Sequence, residues 1–457
     1  MNSFQRLLRP AVVPFFVGCL LTPPLVLAES DCQVPLITDS EMLVRLALAC
    51  NAGQQAIGER LAAQRYRTQS VGQLDDPKLL LGVAPQTFGE DRFDDGYIIE
   101  LSQPLPWPGV LSLREKAADA QSDVWQARQS QDQVRLASGV RLTYAQWQYH
   151  RELLSINQKH QTLWQEFLAV VRAKYASGTT SKSAVLQATH EHHLLLQEAI
   201  ELKAMIERDA SELIRLANLP ATTTFTMDAD LPLTRLPMGA FEEWLALLDL
   251  QPVMEGLSAQ QRQKNSELAL AEKDRYPSFS AMARYNSLWM NDQQRLVVGV
   301  SFNLPFDFGK RSSREGSLRA EQSALHWEQQ DLRVQLRTQL MQAHSFWQQA
   351  IDVYRLYQND LLPLAEESLT TARDEYQSGS GDFLSLLTTQ RQLLATERKA
   401  QMALRDQYAQ FAGLTAAAGL VQMNGWDTSG ILHPSIPHHN NDHPKNDSPA
   451  QEENTHE

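Results

Sequence analysis

Between Gly109 and Leu219 the sequence contains no proline, and glycine falls only at positions 109, 139 and 178. Apolar residues keep helical spacing along this run: Leu113, Ala117, Ala120, Val124, Ala127 and Val134, then Leu136, Val140, Trp147, Leu154, Trp164, Leu168, Val171 and Tyr175. One continuous helix over residues 111–175 would reach about 98 Å, several times the diameter of a compact domain. The apolar stripe of such a helix can be buried only lengthwise, against other long helices. The run should reverse at Ser177-Gly178-Thr179-Thr180-Ser181, where glycine ends one helix and a hydroxyl caps the next, and return over 183–216.

The same pattern is written twice. Ser102-Gln103-Pro104-Leu105-Pro106-Trp107 recurs as Ser301-Phe302-Asn303-Leu304-Pro305-Phe306, and Arg114-Glu115 as Arg314-Glu315. Val134, Leu136, Val140 and Trp147 recur as Val334, Leu336, Leu340 and Trp347; Arg172, Tyr175 and Gly178 recur as Arg373, Tyr376 and Gly379. The offset stays between 199 and 201 throughout. The second reversal falls at Ser378-Gly379-Ser380-Gly381-Asp382, and Pro363 predicts a break or kink in the second outbound helix. Each unit opens with a helix, about 40–67 and about 238–275. Strand-like runs follow at about 77–104 and about 277–304. In the second, Phe279, Ala281, Ala283 and Tyr285 alternate with Ser278, Ser280, Arg284 and Asn286; Leu296, Val298, Val300 and Phe302 continue the alternation. Period-2 runs of about ten residues suit strands with lipid on one side and water on the other.

Residues 1–28 read as a cleaved signal peptide: Arg6 and Arg9, an apolar stretch from Ala11 to Leu21, and small residues ending at Ala28. Phe16-Val17-Gly18-Cys19 weakly resembles a lipobox, but the apolar tail that would follow Cys19 argues against lipidation there. No later segment approaches the ~18 to 20 apolar residues of a spanning helix, so a membrane role would have to come from strands. Removing the signal takes two arginines and no acid, moving the net charge from -13 to -15. That balance disfavours nucleic acid as a partner. In an exported chain, Cys32 and Cys50 favour a disulfide stapling the N-terminal segment to the first helix over two free thiols. The organisation expected is a first repeat over 29–218 with a helical hairpin at about 110–216, and a linker over 219–237 with one short strand. A second repeat covers 238–423 with its hairpin at about 310–420, and an aperiodic, disordered tail follows at 424–457.

In their order and spacing, the Ser102–Gly109 run, its partner at Ser301–Lys310, Tyr276-Pro277 before a strand, and the two Tyr-x-x-Gly turns followed by Leu186 and Leu387 resemble the TolC-type outer membrane efflux family. The likeness covers residues 38–422. Pro106-Trp107-Pro108-Gly109 looks most like the heavy-metal branch of the CzcC and CusC type. The resemblance implies a mainly helical fold with a membrane β part. Long coiled-coil helices form a periplasmic barrel, and four strands per protomer contribute to a trimeric, 12-stranded outer-membrane barrel. It also implies a homotrimer set in outer membrane lipid and working with a periplasmic adaptor and an inner-membrane RND-type pump. Four strands are too few to close a barrel alone, which agrees with a shared one.

No phosphate loop, nucleophile elbow or clustered carboxylate pair is present, so the sequence assigns no catalytic residue and no cofactor. The expected functional residues lie at the hairpin tips. In the family that the sequence resembles, a tyrosine three residues before the tip glycine helps form a constriction together with acids after it. Tyr376 matches that tyrosine, with Tyr175, Gly178 and Gly379 at the corresponding turn positions. The usual acid positions hold Ser385 and Thr388; Asp382 is the nearest substitute, and could equally be a helix cap. His190 and His193 share a helix face but read as a solvated surface rather than a metal site. His433, His438, His439 and His443, beside Asp442 and Asp447, suit capture of zinc, copper or cobalt, or else a merely solubilising tail. The leading expectation is a passive exit duct for heavy-metal cations. The alternatives are a duct for drugs and small organic compounds, and a periplasmic coiled-coil scaffold with a metal-binding tail.

Overall fold

The computed structural model describes residues 39–84, 96–225, 231–234, 240–246, 248–289, 295–306 and 308–423. The expected signal peptide, Cys19, Cys32 and the His-rich tail with His433, His438, His439 and His443 lie outside the described residues.

The long run is one helix. α3 spans Val110–Ala176, 67 residues without interruption, or about 100 Å. It returns as α4, Lys182–Ala217, which is packed along it. In the second copy α7, Lys310–Leu356, passes through one π-helical turn at Tyr357–Leu361 into α8, Leu362–Ser378, and returns as α9, Phe383–Ala417. The irregularity anticipated at Pro363 thus takes the form of a widened turn just before it. Proline lacks an N–H, and its ring crowds the carbonyl four residues back, so a local π turn relieves both without ending the helix.

The short helices differ from expectation. The helix expected over 40–67 is two: α1, Ser40–Cys50, and α2, Ala52–Val71. Asn51 is extended at ψ 121°, and its side-chain oxygen accepts from the N–H groups of Gly53 and Gln54, starting a new helix. The helix expected over 238–275 is likewise divided into α5, Ala240–Ala246, a 3-10 turn at Leu248–Leu250, and α6, Pro252–Lys273, which begins on its proline. No strand is present among the described linker residues. Instead Thr234 anchors the linker: it is buried, and its hydroxyl accepts from the Trp347 indole and the Gln407 amide, both at 2.9 Å.

Four strands make one antiparallel sheet in the order β1-β2-β3-β4, with β1 at Lys78–Ala84, β2 at Gly96–Leu105, β3 at Phe279–Asn286 and β4 at Leu296–Phe302. The central pair, β2 and β3, comes from different copies and is registered Ile99↔Tyr285 and Leu101↔Ala283. Pro104 lies beyond the β1 ladder and pairs only with Ser280 on β3, so its missing N–H costs no bond to β1.

Away from the sheet, the main core gathers Leu43, Tyr144, Trp147, Leu213, Trp347 and Tyr408 from both copies. Cys50 at the end of α1 is buried and disulfide-bonded, and its partner lies outside the described residues. Arg141 on α3, only 1% exposed, forks onto both carboxylate oxygens of Glu41 on α1 at 2.6 and 2.7 Å, and donates to the Val421 carbonyl at 2.7 Å. Removing the carboxylate would strand a buried guanidinium. Glu41→Ala should therefore cost about 3 kcal/mol, read as a clear drop in the thermal unfolding midpoint of the purified protein.

Candidate functional site

The sheet has two unlike faces. On one, Leu79, Leu81 and Val83 stand opposite Leu101, Ile99 and Tyr97; Ala283 and Tyr285 continue the row, and Leu296, Val298, Val300 and Phe302 complete it. Most of these side chains are exposed in the single chain. On the other face lie Ser102, Ser280, Ser301 and the registered pair Glu100↔Arg284, whose side chains form an ion pair at 2.5 Å. The apolar face ends in aromatics both ways. Tyr97 stacks on Tyr285 at 5.7 Å at one end, and Trp107 stacks on Tyr276 at 4.8 Å beside Phe279 at the other. An apolar band between two aromatic girdles is the pattern of a membrane-spanning strand set. β2, with ten residues, is about 33 Å long and at a barrel tilt of about 40° covers about 25 Å, the height of the apolar band of an outer-membrane barrel. Among the described residues no helix is long and apolar enough to cross a membrane.

Each sheet-to-helix junction turns on a left-handed glycine, Gly109 at φ 88° before α3 and Gly309 at φ 93° before α7. A side chain at Gly309 would meet nothing within 4 Å, so the demand is for the backbone angle rather than for space. The duplicated Arg-Glu dipeptide sits just inside these turns. Arg114 faces Asp75 at 3.8 Å, and Arg314 pairs with Asp274 at 2.9 Å, so the pairing is duplicated as well. Glu315 is nearly buried; hydrogen bonds from Arg275, with Arg319 beside them, hold its carboxyl below the usual range.

At the far end of the helices the two tips are built alike. Gly178 and Gly379 are left-handed at φ 76° and 86°. The Ser181 hydroxyl caps α4 by accepting from the Ala184 N–H, and Asp382 caps α9 by accepting from the Ser385 N–H at 2.6 Å. Their surroundings differ. Tyr376 is 4% exposed, edge-on to Phe383, with Lys174 over its ring and donating to its carbonyl, whereas Tyr175 is 47% exposed. The Tyr376 hydroxyl has no hydrogen-bond partner among the described atoms. Asp382, Ser385 and Thr388 are exposed. The second-copy tyrosine is thus packed against the first hairpin, while its first-copy counterpart faces outward.

A partly buried polar spine that the sequence did not announce runs along α3, α4 and α9. His150 bonds to Asp209 at 2.6 Å, His160 sits between Glu397 and Gln390, and Glu191 and Glu198 on α4 pair with Arg391 and Arg398 on α9. The seven-residue spacing of both the acids and the arginines was the available signal. His190 and His193 are exposed on α4, and among the described residues no cluster of three metal-ligating side chains occurs.

The observed cap at Asp382 makes a separable prediction. Asp382→Ala should destabilise the second tip by about 1 kcal/mol, whereas Asp382→Asn, which can still cap, should leave the unfolding midpoint nearly unchanged.

A protein-family model described as outer membrane efflux protein matches residues 55–219 and 246–420. A sequence comparison with curated proteins finds no match. Among solved structures, the fold is similar to that of the outer-membrane channel OprN, at 18% identity and TM-score 0.72, covering 83% of this chain and 89% of that one. It is similar to CusC, at 17% identity and TM-score 0.70, covering 83% and 92%. The outer membrane protein VceC of Vibrio cholerae shares 15% identity at TM-score 0.71, covering 83% and 96%. At these identities the structural likeness establishes the fold, while the family model covers both copies of the duplicated unit. The chain belongs to the outer membrane efflux protein family, as a TolC-type channel of the outer membrane.

Proposed function

We propose that three copies of this chain assemble into a passive exit duct for heavy-metal cations, fed by an inner-membrane pump through a periplasmic adaptor. The observation that carries the assembly is the unfinished state of the single chain. β1 and β4 each have one unpaired edge, and a sheet edge in hydrocarbon leaves N–H and C=O groups without partners. The step from first copy to second joins β2 to β3 and packs α6 against α3. Repeated once more, it joins β4 to the β1 of another chain and lays that chain's α2 against α7. α7 is prepared for such a neighbour: Trp327, Val334 and Met341 form an exposed apolar stripe at seven-residue spacing. Val334 is 64% exposed, whereas its first-copy counterpart Val134, covered within the chain, is 8% exposed. An apolar stripe of this size on a soluble helix is an interface in waiting.

Closure places the Glu100–Arg284 face toward the lumen and the apolar face toward lipid. Heavy-metal cargo is supported by the Pro106-Trp107-Pro108-Gly109 form of the first junction and by the histidines of the tail, with Cys32 as the proposed partner of Cys50 on the same chain. The tip residues Tyr175, Gly178, Tyr376, Gly379, Asp382, Ser385 and Thr388 are the proposed gate and docking region.

Val334→Glu should convert the detergent-purified trimer to monomer on native mass spectrometry while far-ultraviolet circular dichroism keeps the helical signal. A monomeric wild type that passes no ions in a planar bilayer would sink the duct. Deleting the gene should lower tolerance to zinc, cobalt, cadmium or copper; if only tolerance to antibiotics and detergents falls, the cargo is organic instead.

A further inference from the structure

The junction between sheet and helices holds a cavity of about 340 Å³ that the transport reading does not use. Trp107 and Tyr276 form one wall, stacked on each other at 4.8 Å, and Trp107 also touches Phe279. Phe279 belongs to the row of Ala281, Ala283 and Tyr285, so the cavity stands at the end of the apolar face. The charged part of the lining is almost all basic. Arg114, Lys273, Lys310, Arg311 and Arg314 line it against one acid, Asp274, in a chain whose net charge is -13.

Two of these cations have no carboxylate partner among the described residues. Lys310 is exposed at the first turn of α7, and Lys273 sits over the Tyr276 ring at 5.6 Å. Arg314 and Arg114 share their charge with Asp274 and Asp75, at 2.9 and 3.8 Å, and each still has guanidinium N–H groups to offer. Holding several cations around one opening costs mutual repulsion, which an anion relieves.

We propose that this cavity is a binding site for the phosphate of a phospholipid headgroup. The depth agrees. A Trp/Tyr girdle marks the boundary between hydrocarbon and water, and the phosphates of a leaflet lie just outside that boundary. The composition agrees too. The indole and phenol faces suit the glycerol backbone and upper acyl chain, while lysine and arginine N–H groups suit phosphate oxygens. A free phosphate shares the anionic chemistry but has no use for the aromatic wall. Because the binding determinants come from α6, α7 and the segment leading into α3, a bound lipid would tie the two copies together where sheet becomes helix. The site does not depend on what the duct carries.

The test uses the full-length, detergent-purified, delipidated protein and native mass spectrometry. Phosphatidylglycerol should bind saturably, and diacylglycerol with the same acyl chains should not. The double variant Lys273→Gln, Lys310→Gln should weaken phosphatidylglycerol binding about thirtyfold, taking each surface lysine at its usual worth against an anionic lipid. Equal retention of diacylglycerol would mean a greasy groove and overturn the proposal. Displacement of the lipid by an equal concentration of inorganic phosphate would mean a free-anion site and overturn it as well. Unchanged affinity in the double variant, with circular dichroism showing it folded, would do the same. Should the double variant fail to fold, Lys310→Gln alone, at an exposed position, should still cost about fivefold.

Discussion

A strand in hydrocarbon has no water to satisfy its backbone, and the proposed assembly rests on that fact. Four strands cannot satisfy one another at both edges, and the proposed assembly answers that by making the chain a part rather than a whole. Its duplicated sequence makes the part self-similar. In the proposed assembly, the contact that joins the first copy to the second is the one that the second copy offers to the next chain. The same logic runs down the helices, where α3 is covered within the chain and the equivalent face of α7 is not. An acidic, strongly helical chain can therefore leave much apolar surface uncovered without being a poor design.

The left-handed glycines turn the chain from sheet into helix. Gly109 and Gly309 sit at the same point of each copy, and the Arg–Asp pairs just inside them repeat as well. At the opposite end, Gly178 and Gly379 reverse the helices, with Ser181 and Asp382 starting the return strokes by different chemistry at the same position. A hydroxyl and a carboxylate both accept the required N–H, so the cap tolerates a substitution that changes the charge of the tip. This freedom is one physical reason why an acidic residue at a tip is weak support for a gate.

Much of this was legible in the residues. The proline-free run and its apolar period announced α3, and alternation announced the strands, because both signals come from burial on one face. The duplication set the correspondence between copies. What escaped was decided by single side chains or by neighbours in space. Asn51 divides a helix because its amide oxygen reaches two N–H groups, and periodicity carries no trace of that. Tyr175 and Tyr376 look alike in sequence, yet one is exposed and the other buried, because only the second has the other hairpin beside it within the chain. The spine of His150, His160, Glu191 and Glu198 pairs residues far apart in sequence, and only the heptad spacing of the two glutamates and their arginines hinted at a shared face.

The π turn at Tyr357–Leu361 also explains a discrepancy in the numbering of the two copies. Trp147 and Trp347 stand 200 positions apart, but Gly178 and Gly379 stand 201 apart. One residue therefore separates the two lineages between those landmarks, and the widened turn lies within that interval. Inserted into an ordinary helix, a residue would swing everything beyond it by about 100°, carrying the tip tyrosine off its face. A π turn absorbs the addition locally and returns the following helix to its former phase. The widened turn before Pro363 thus takes up the one-residue difference between the copies and keeps it harmless to the tip below.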